Sequence, residues 1–377
     1  MKKAMHYGAG NIGRGFLGQL LSASGYEITF VDVQQEVIDD INNLGKYTIE
    51  IVGDAPQEIV VEHVRAINGG DVDLFVKNFV ETDVLTTAIG PNILKFIAPN
   101  IAKGIEKRVE VNSTPLNIIA CENMVGGSQI LKGLVYEHLS EDVRKKADAL
   151  IAFPNAAVDR IVPIQHPEEK LRVAVEEYCE LDVDATMIKG ERPPIQGIHY
   201  VDDLGAYIER KLFTLNTGHA STAYLAYQKG IKDIYHAMQD EEIVAAVREV
   251  WKETGELLVK KHGFDPAVHQ AYIEKSESRF KNPHISDEVT RVGRGPIRKL
   301  GAADRLVAPA AQLIEMGKEP EGLALVIAAA MKFDCKEDPE AVELQDYIKA
   351  NGVDAALKHF SGIETGSKLH ALIRKYL

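Results

Sequence analysis

Two hydrophobic periods alternate along this chain, and the place where one gives way to the other divides it. In the first half, short apolar runs bounded by turn residues read as buried strands at residues 3–7, 27–32, 83–90 and 116–121, with helical spacing at 14–21 and 92–103 between them. Strand and helix in alternation predict a doubly wound parallel sheet. Residues 45–64 break the alternation with two strand-like runs, 47–52 and 58–62, which read as an inserted hairpin. Near residue 150 the pattern changes, the Pro193-Pro194 pair closes the β-rich part, and beyond Gly205 the spacing is almost wholly helical. Amphipathic helices are expected at 241–261, 266–279, 302–316, 321–331, 338–350 and 367–376. The fold class is therefore α/β plus α, with one domain over 1–195 and an all-helical one over 196–377.

Composition narrows the possibilities. With 377 residues, 45% hydrophobic and 26% charged, the chain has the makeup of a globular protein with a large core. A net charge of -13 argues against nucleic acid as a partner, since a duplex binder needs a basic stripe. No stretch approaches the roughly 20 apolar residues of a membrane span, and the start leads directly into a strand, so a cytoplasmic protein is expected. Cys121, Cys179 and Cys335 have no paired spacing and read as small buried hydrophobes, not as a disulfide or metal framework. His138, His166, His199, His236, His262 and His284 are scattered, without the spacing of helical metal ligands. Trp251 reads as core.

The first strand runs into Gly8-Ala9-Gly10-Asn11-Ile12-Gly13, followed by helical spacing and by a strand ending at Asp32, 19 positions after the last glycine. In that context Gly-x-Gly-x-x-Gly is a dinucleotide fingerprint: Gly8 for the tight turn, Gly10 for close approach of the pyrophosphate, Gly13 for helix-on-strand packing. Asp32 would accept from the adenosine ribose hydroxyls and repel a 2′-phosphate, and Val33, Gln34 and Gln35 offer no cation, so NAD is expected over NADP. The alternative use of Asp32 is to cap the next helix. Asn123, beyond the strand at 116–121, could touch cofactor or substrate, or serve as a helix N-cap.

The densest chemistry is Lys211-Leu-Phe-Thr-Leu-Asn216-Thr-Gly-His219. On an α-helix these three side chains fall at about 0°, 140° and 80°, so an amine, an amide and an imidazole share one side. A lysine serves as general base once its surroundings bring its pKa toward about 7 to 8, and Leu212, Phe213 and Leu215 could supply apolar surroundings. Glu209 points nearly opposite. A second polar cluster, Pro154-Asn155-Ala-Ala-Val158-Asp159-Arg160-Ile161-Val162-Pro163, places Asn155 in a constrained turn where its amide could donate to a developing oxyanion. Asp159 and Arg160 are expected to pair with one another or with the second domain. Finally, residues 291–305 carry five cations and one carboxylate. Arg294, Arg298 and Lys299 are candidates for a phosphate site, and the break at Gly293 and Gly295-Pro296 could aim backbone N–H groups at an anion. The alternative is a solvated helix end or structural ion pairs with the acidic surface.

Together the glycine fingerprint, the Pro154–Pro163 motif and Lys211-x4-Asn216-x2-His219 resemble the long-chain polyol dehydrogenase (mannitol dehydrogenase) family over essentially the whole length. The resemblance implies a Rossmann-type NAD domain, Lys211 as catalytic acid/base, Asn155 and Asn216 as the oxyanion site, His219 as the positioning group, and no metal. It also implies a monomer, with a homodimer open, acting on a small sugar phosphate by interconverting D-mannitol 1-phosphate and D-fructose 6-phosphate. A free-polyol or hexuronate dehydrogenase of the same family and a non-catalytic NAD(H)-binding redox regulator are the alternatives.

Overall fold

The structure, a computed structural model, describes residues 1–53, 55–163, 169–285 and 287–377. The chain divides into two compact units, Met1–Tyr207 and Ile208–Leu377. The first is built on β1 (Lys2–Tyr7), β2 (Tyr26–Asp32), β3 (Lys46–Ile51), β4 (Gln57–Glu62), β5 (Val64–Asn68), β6 (Val84–Thr87), β7 (Leu116–Ala120) and β8 (Ile151–Ala152). Six of these form a parallel sheet in the order β5-β2-β1-β6-β7-β8. Strand alternation sends Ala4, Ile28 and Phe30 to one face and Met5, Tyr7 and Val31 to the other, and each face carries its own apolar core. Strand order reverses at β1, which pairs with both β2 and β6. That reversal opens a crevice beyond the carboxyl ends of β1 and β6, where Gly8 and Ala88 follow.

The inserted hairpin is present as the antiparallel pair β3–β4. Four further short strands extend the unit: β9 (Ala156–Asp159), β10 (Val173–Val175), β11 (Glu180–Asp184) and β12 (Ile198–Val201). β10 joins the hairpin in parallel with β3, and β12-β11-β9 form a third sheet. The helix after the glycine loop begins as a widened turn over Gly13–Gly18, with hydrogen bonds five residues apart instead of four. Its cause is Tyr47, whose hydroxyl donates to the Arg14 carbonyl at 2.8 Å and occupies the place a Cβ on Gly18 would take, 2.2 Å away.

The second unit is helical, as the spacing predicts. Its longer helices are Glu241–His262, Pro266–Phe280, Val307–Glu315, Glu321–Met331, Pro339–Asn351 and Val353–Ser361, followed by Lys368–Arg374 at the end. Asp240, Asp265, Asp338 and Ser367 cap four of them by accepting first-turn N–H groups, each worth about 1 kcal/mol. One expectation fails. The helix Glu321–Met331 is not amphipathic: Leu323, Ala324, Val326, Ile327, Ala328 and Ala330 are all buried, so it runs through the middle of the core. Small and branched apolar residues at nearly every position leave it no polar face. Among the described residues no helix is long and apolar enough to cross a membrane.

The contact between the first helix and β1 tolerates no side chain at Gly13, where a Cβ would lie 1.9 Å from the Gly8 carbonyl oxygen and 2.8 Å from His6 Nε2. Gly13→Ala is expected to lower stability by about 1–3 kcal/mol or more, as overpacking does, and to weaken NADH binding in parallel. Chemical denaturation and NADH fluorescence titration check both, and an unchanged midpoint would contradict the close approach.

Candidate active site

At the carboxyl end of β1, Gly8 has φ +101°, which a side chain would strain, and a Cβ there would lie 2.7 Å from the Ala88 carbonyl. Its N–H donates to Val31 O at 2.9 Å, tying the loop to β2. Gly10 differs: a Cβ there would meet nothing within 4 Å, and Gly10, Asn11 and Ile12 are exposed at the loop tip. The first N–H groups of the helix lack intrahelical partners there, so the tip has both the room and the donors that a pyrophosphate requires. Arg14 braces the loop from behind, donating to the carbonyls of Ala9 and Leu171 and to Asn11 Oδ1.

Asp32 performs more than one task. Its Oδ2 accepts from Ala9 N at 2.7 Å, and its Oδ1 accepts from Val33 N at 2.7 Å and Gln34 N at 3.0 Å. Three N–H groups leave about one of the four lone-pair sites of the carboxylate open to a hydroxyl. Asp32 therefore fixes the glycine loop and the turn at Val33 and Gln34, does not cap the next helix, whose N-cap is Gln34, and retains limited capacity toward a ribose. Behind the loop, His6 is fully buried with Nδ1 2.6 Å from Thr86 Oγ1, and burial pushes its pKa down to about 3, so it is a neutral packing element.

At the end of β7, Glu122 is buried and accepts from Thr87 Oγ1 at 2.8 Å and Ile89 N at 3.2 Å, and burial raises its pKa. It stitches the ends of β6 and β7 together, a role its sequence context does not announce. Asn123 is exposed in the next loop. The following helix starts at Gly127 with Gly126 as its cap, which removes the N-cap use of Asn123. Asn155 sits between β8 and β9, its Oδ1 accepting from Gln129 N at 3.3 Å and its backbone carbonyl from Asp184 N at 3.0 Å. Its amide nitrogen donates to the Met187 thioether sulfur at 3.9 Å. Arg160 is engaged by partners of its own unit. It donates to the carbonyls of Glu176 and Gly15 and to Gln19 Oε1, buttressing the first helix.

In the second unit, Lys211 ends the helix Leu204–Lys211, and the chain then widens over Leu212–Asn216 before continuing as Thr217–Gln228. The expected uninterrupted α-helix is thus corrected. Hydrogen bonds five residues apart bring Lys211 and Asn216 closer to one face than the α-helical offset allows. In the wide turn the Thr217 N–H reaches Leu212 O and Thr214 O, and side-chain donors reinforce both carbonyls. Thr217 Oγ1 lies 2.9 Å from Leu212 O, and the Trp251 indole donates to Thr214 O at 2.8 Å. A Cβ on Gly218 would stand 2.4 Å from Trp251 Nε1, so the indole needs glycine there. Trp251 is core, as expected, and also holds this turn. Phe213 and Leu215 point into the apolar clusters. Glu209 is engaged away from Lys211, by Lys261 at 2.8 Å and His262 at 2.6 Å.

Asn216 and His219 line a cavity of about 240 Å³ together with Arg294, Arg298 and Lys299. Arg291, Arg305 and Asp287 also line it, whereas Lys211 does not. His219 stacks on Phe280, with ring centroids 4.9 Å apart at 20°, and Phe280 stacks in turn on Trp251 at 5.8 Å. Burial pushes the pKa of His219 down to about 4; Asp287 opposes that shift, and Arg279, Lys299 and Arg305 reinforce it. The imidazole is neutral at physiological pH. Lys299 is buried and donates to the Arg294 carbonyl, and burial, with Arg305 and Arg298, lowers its pKa to about 7. The backbone contributes less than expected, because Gly295 N donates to Asp338 and Arg298 N to Glu340. Acidic side chains have claimed those N–H groups, so an anion here meets side chains.

The remaining candidates keep to ordinary roles. His236 bonds Asp233 and His262 bonds Glu209, while His166 lies outside the described residues. His199, Glu180 and Asp182 place ligand atoms within 4.8 Å of one another on β11 and β12, where His199 Nδ1 and Asp182 Oδ1 lie at hydrogen-bond distance, 3.3 Å. All three cysteines are free, with Cys121 and Cys335 buried and Cys179 partly so.

A doubly wound nucleotide-binding unit followed by a helical unit with a lysine, an amide and an imidazole within nine residues defines a two-domain dehydrogenase. The mannitol dehydrogenase Rossmann domain matches residues 2–197 and the mannitol dehydrogenase C-terminal domain matches residues 203–375. The chain is 52% identical to the mannitol-1-phosphate 5-dehydrogenase of Brevibacillus brevis, over 99% of this chain and 96% of that one. Among solved structures it is similar to Pseudomonas fluorescens mannitol 2-dehydrogenase in ternary complex with NAD and D-mannitol (TM-score 0.74, 19% identity, 100% of this chain and 91% of that one). It is also similar to a substrate-free D-sorbitol dehydrogenase (TM-score 0.84, 14% identity, 98% and 91%). The chain belongs to the mannitol-1-phosphate 5-dehydrogenase family.

The role of Trp251 generates a direct test. Trp251→Phe keeps a ring in the stack but removes the side-chain donor to the Thr214 carbonyl, with an expected loss of about 0.5–1.5 kcal/mol in urea denaturation. An unchanged midpoint would show that the widened turn does not need the indole.

Proposed function

We propose that the protein is an NAD-dependent oxidoreductase that interconverts D-mannitol 1-phosphate and D-fructose 6-phosphate, with Lys211 as general acid/base. The observation that carries this reading is that Asn216 and His219 share one cavity with five cations, Arg291, Arg294, Arg298, Lys299 and Arg305, in a protein of net charge -13. The open tip at Gly10, the N–H groups at the start of the first helix and the remaining acceptor capacity of Asp32 fit a dinucleotide, and Asn123 lies in a loop beyond the same sheet. NAD, when bound, supplies the hydride acceptor.

The protein's own groups manage the proton and the charge. Oxidation of a secondary alcohol leaves alkoxide-like charge on the substrate oxygen as the hydride departs. Neutral Lys211 takes the hydroxyl proton, and in the reverse direction the ammonium returns it to the carbonyl oxygen. The amides of Asn155 and Asn216 donate to that oxygen, each worth about 2.7 to 4 kcal/mol if comparable to other oxyanion donors. Neutral His219, fixed by its stack on Phe280, orients the alcohol. No metal is needed, because the amides and the lysine handle the developing charge. Arg294, Arg298 and Lys299 hold the phosphoryl group by forked and charge-assisted hydrogen bonds. The same reading takes the chain as a cytoplasmic monomer.

Two experiments follow. The first monitors NADH absorbance with fructose 6-phosphate, fructose and fructuronate, in wild type and Lys211→Ala. Consumption is expected with fructose 6-phosphate, and the substitution is expected to reduce turnover by orders of magnitude while NADH binding persists. Preference for fructose would favour a free-polyol enzyme, preference for fructuronate a hexuronate enzyme, no consumption at all a redox regulator, and normal turnover in the variant would remove Lys211 from its role. The second concerns Lys299. With a pKa of about 7, this lysine is largely neutral at pH 8. A dianionic phosphoryl group favours its charged form, so binding of fructose 6-phosphate at pH 8 is expected to take up protons, and affinity to fall as pH rises above 7. Calorimetry in buffers of different ionisation enthalpy measures this, and heats independent of buffer would contradict it.

A further inference from the structure

We propose that Arg305 is a specificity-determining residue, the cation that contacts the phosphoryl group from the side of the cavity tied to Asn216 and so separates phosphorylated from free polyols. This rests on the reading of the cavity as the phosphate site. Arg305 lines the cavity alongside Asn216 and His219. Its carbonyl oxygen lies 2.7 Å from Thr217 Oγ1, and Thr217 directly follows Asn216. The backbone of Arg305 is thereby pinned to the turn that presents the oxyanion donor. A hydroxyl has one hydrogen, so Thr217 serves either the Leu212 carbonyl or Arg305 at a given moment, and the two contacts couple the widened turn to this arginine.

The side chain is held as firmly as the backbone. Asp304 Oδ1 accepts from Arg305 Nε at 2.7 Å and from its backbone N at 2.6 Å, which fixes the plane of the guanidinium. With Nε occupied, the end-on edge made by Nη1 and Nη2 remains, and no acceptor among the described residues takes it. That edge is the fork that matches two oxygens of a phosphoryl group. A purely structural role accounts poorly for it. The carboxylate partner is the adjacent residue in the chain, so the ion pair joins no distant elements. The carboxylate that lines the cavity, Asp287, is taken by Arg291 at 2.6 Å.

Arg305 also differs from the neighbouring cations. The Arg294 and Arg298 side chains are exposed, where water and salt screen them. The Arg305 side chain is only 13% exposed, so a charge-assisted bond to it is screened less. Lys299 is buried too, but its ammonium already donates to the Arg294 carbonyl, and it offers a point charge in place of a fork.

The test measures KM and kcat for fructose 6-phosphate and for fructose, with NADH, in wild type, Arg305→Gln and Arg305→Lys. Arg305→Gln is expected to raise KM for fructose 6-phosphate roughly 10- to 100-fold, the worth of hydrogen bonds to a charged group. The preference for fructose 6-phosphate over fructose should fall by the same factor, with KM for NADH unchanged. Arg305→Lys should recover only part, and stands in if the glutamine variant does not fold. Equal losses for both substrates, or an unchanged preference in both variants, would overturn the assignment of Arg305 while leaving the phosphate cavity in place. A wild-type enzyme with no preference for fructose 6-phosphate would overturn the underlying reading as well.

Discussion

The chemistry in the second unit hangs on the widened turn at Leu212–Asn216. A helix that loosens by one residue forfeits the regular hydrogen bonds of that turn, and side-chain donors add to the wider backbone bonds that replace them. The Trp251 indole and the Thr217 hydroxyl do this here, 2.8 Å from Thr214 O and 2.9 Å from Leu212 O. The indole fits because residue 218 is glycine, and its ring continues through Phe280 to His219. One aromatic stack therefore fixes both the turn that carries Asn216 and the imidazole beside it. The site inherits its rigidity from the helical core, which suits a group of donors that must not relax when charge develops.

The nucleotide-binding unit uses a related device. Tyr47, on the first strand of the inserted hairpin, reaches into the first helix and bonds the Arg14 carbonyl, widening the turn that follows the glycine loop. Arg14 in turn reaches back to the loop, and Asp32 closes it from β2. The hairpin is thus part of what shapes the loop, and the loop's conformation depends on residues from three separate segments.

What the sequence revealed and what it hid follow from the range of the interactions concerned. Local patterns were legible: the strand, glycine turn, helix and acid of the nucleotide loop lie within 32 residues, with Gly8 required by its positive φ and Gly13 by its approach to Gly8. Arg294, Arg298 and Lys299 stand out by residue type as phosphate candidates, but nothing in the sequence tells which of them face a cleft; in the structure they line a cavity with Asn216 and His219. The widened turns were not legible, because a single extra residue per turn leaves no periodic signature and the groups that stabilise it come from far along the chain. For the same reason the backbone N–H groups near Gly295 looked available for an anion, although Asp338 and Glu340, more than 40 residues later, occupy them. The helix Glu321–Met331 was misjudged because periodicity alone does not separate an apolar stripe from a helix surrounded by other helices.

Electrostatics then give the helical unit its division of labour. His219 stays neutral because it is buried, with nearby cations adding to that effect, while the same cations make the adjoining space attractive to a dianion. A crystal structure of the enzyme with NADH and fructose 6-phosphate tests this account most directly. The account predicts the phosphoryl group within hydrogen-bond distance of Arg294, Arg298 and Lys299, with the substrate carbonyl oxygen toward the Asn216 amide. A phosphoryl group bound outside that cavity, with the carbonyl remote from Asn216, would contradict it.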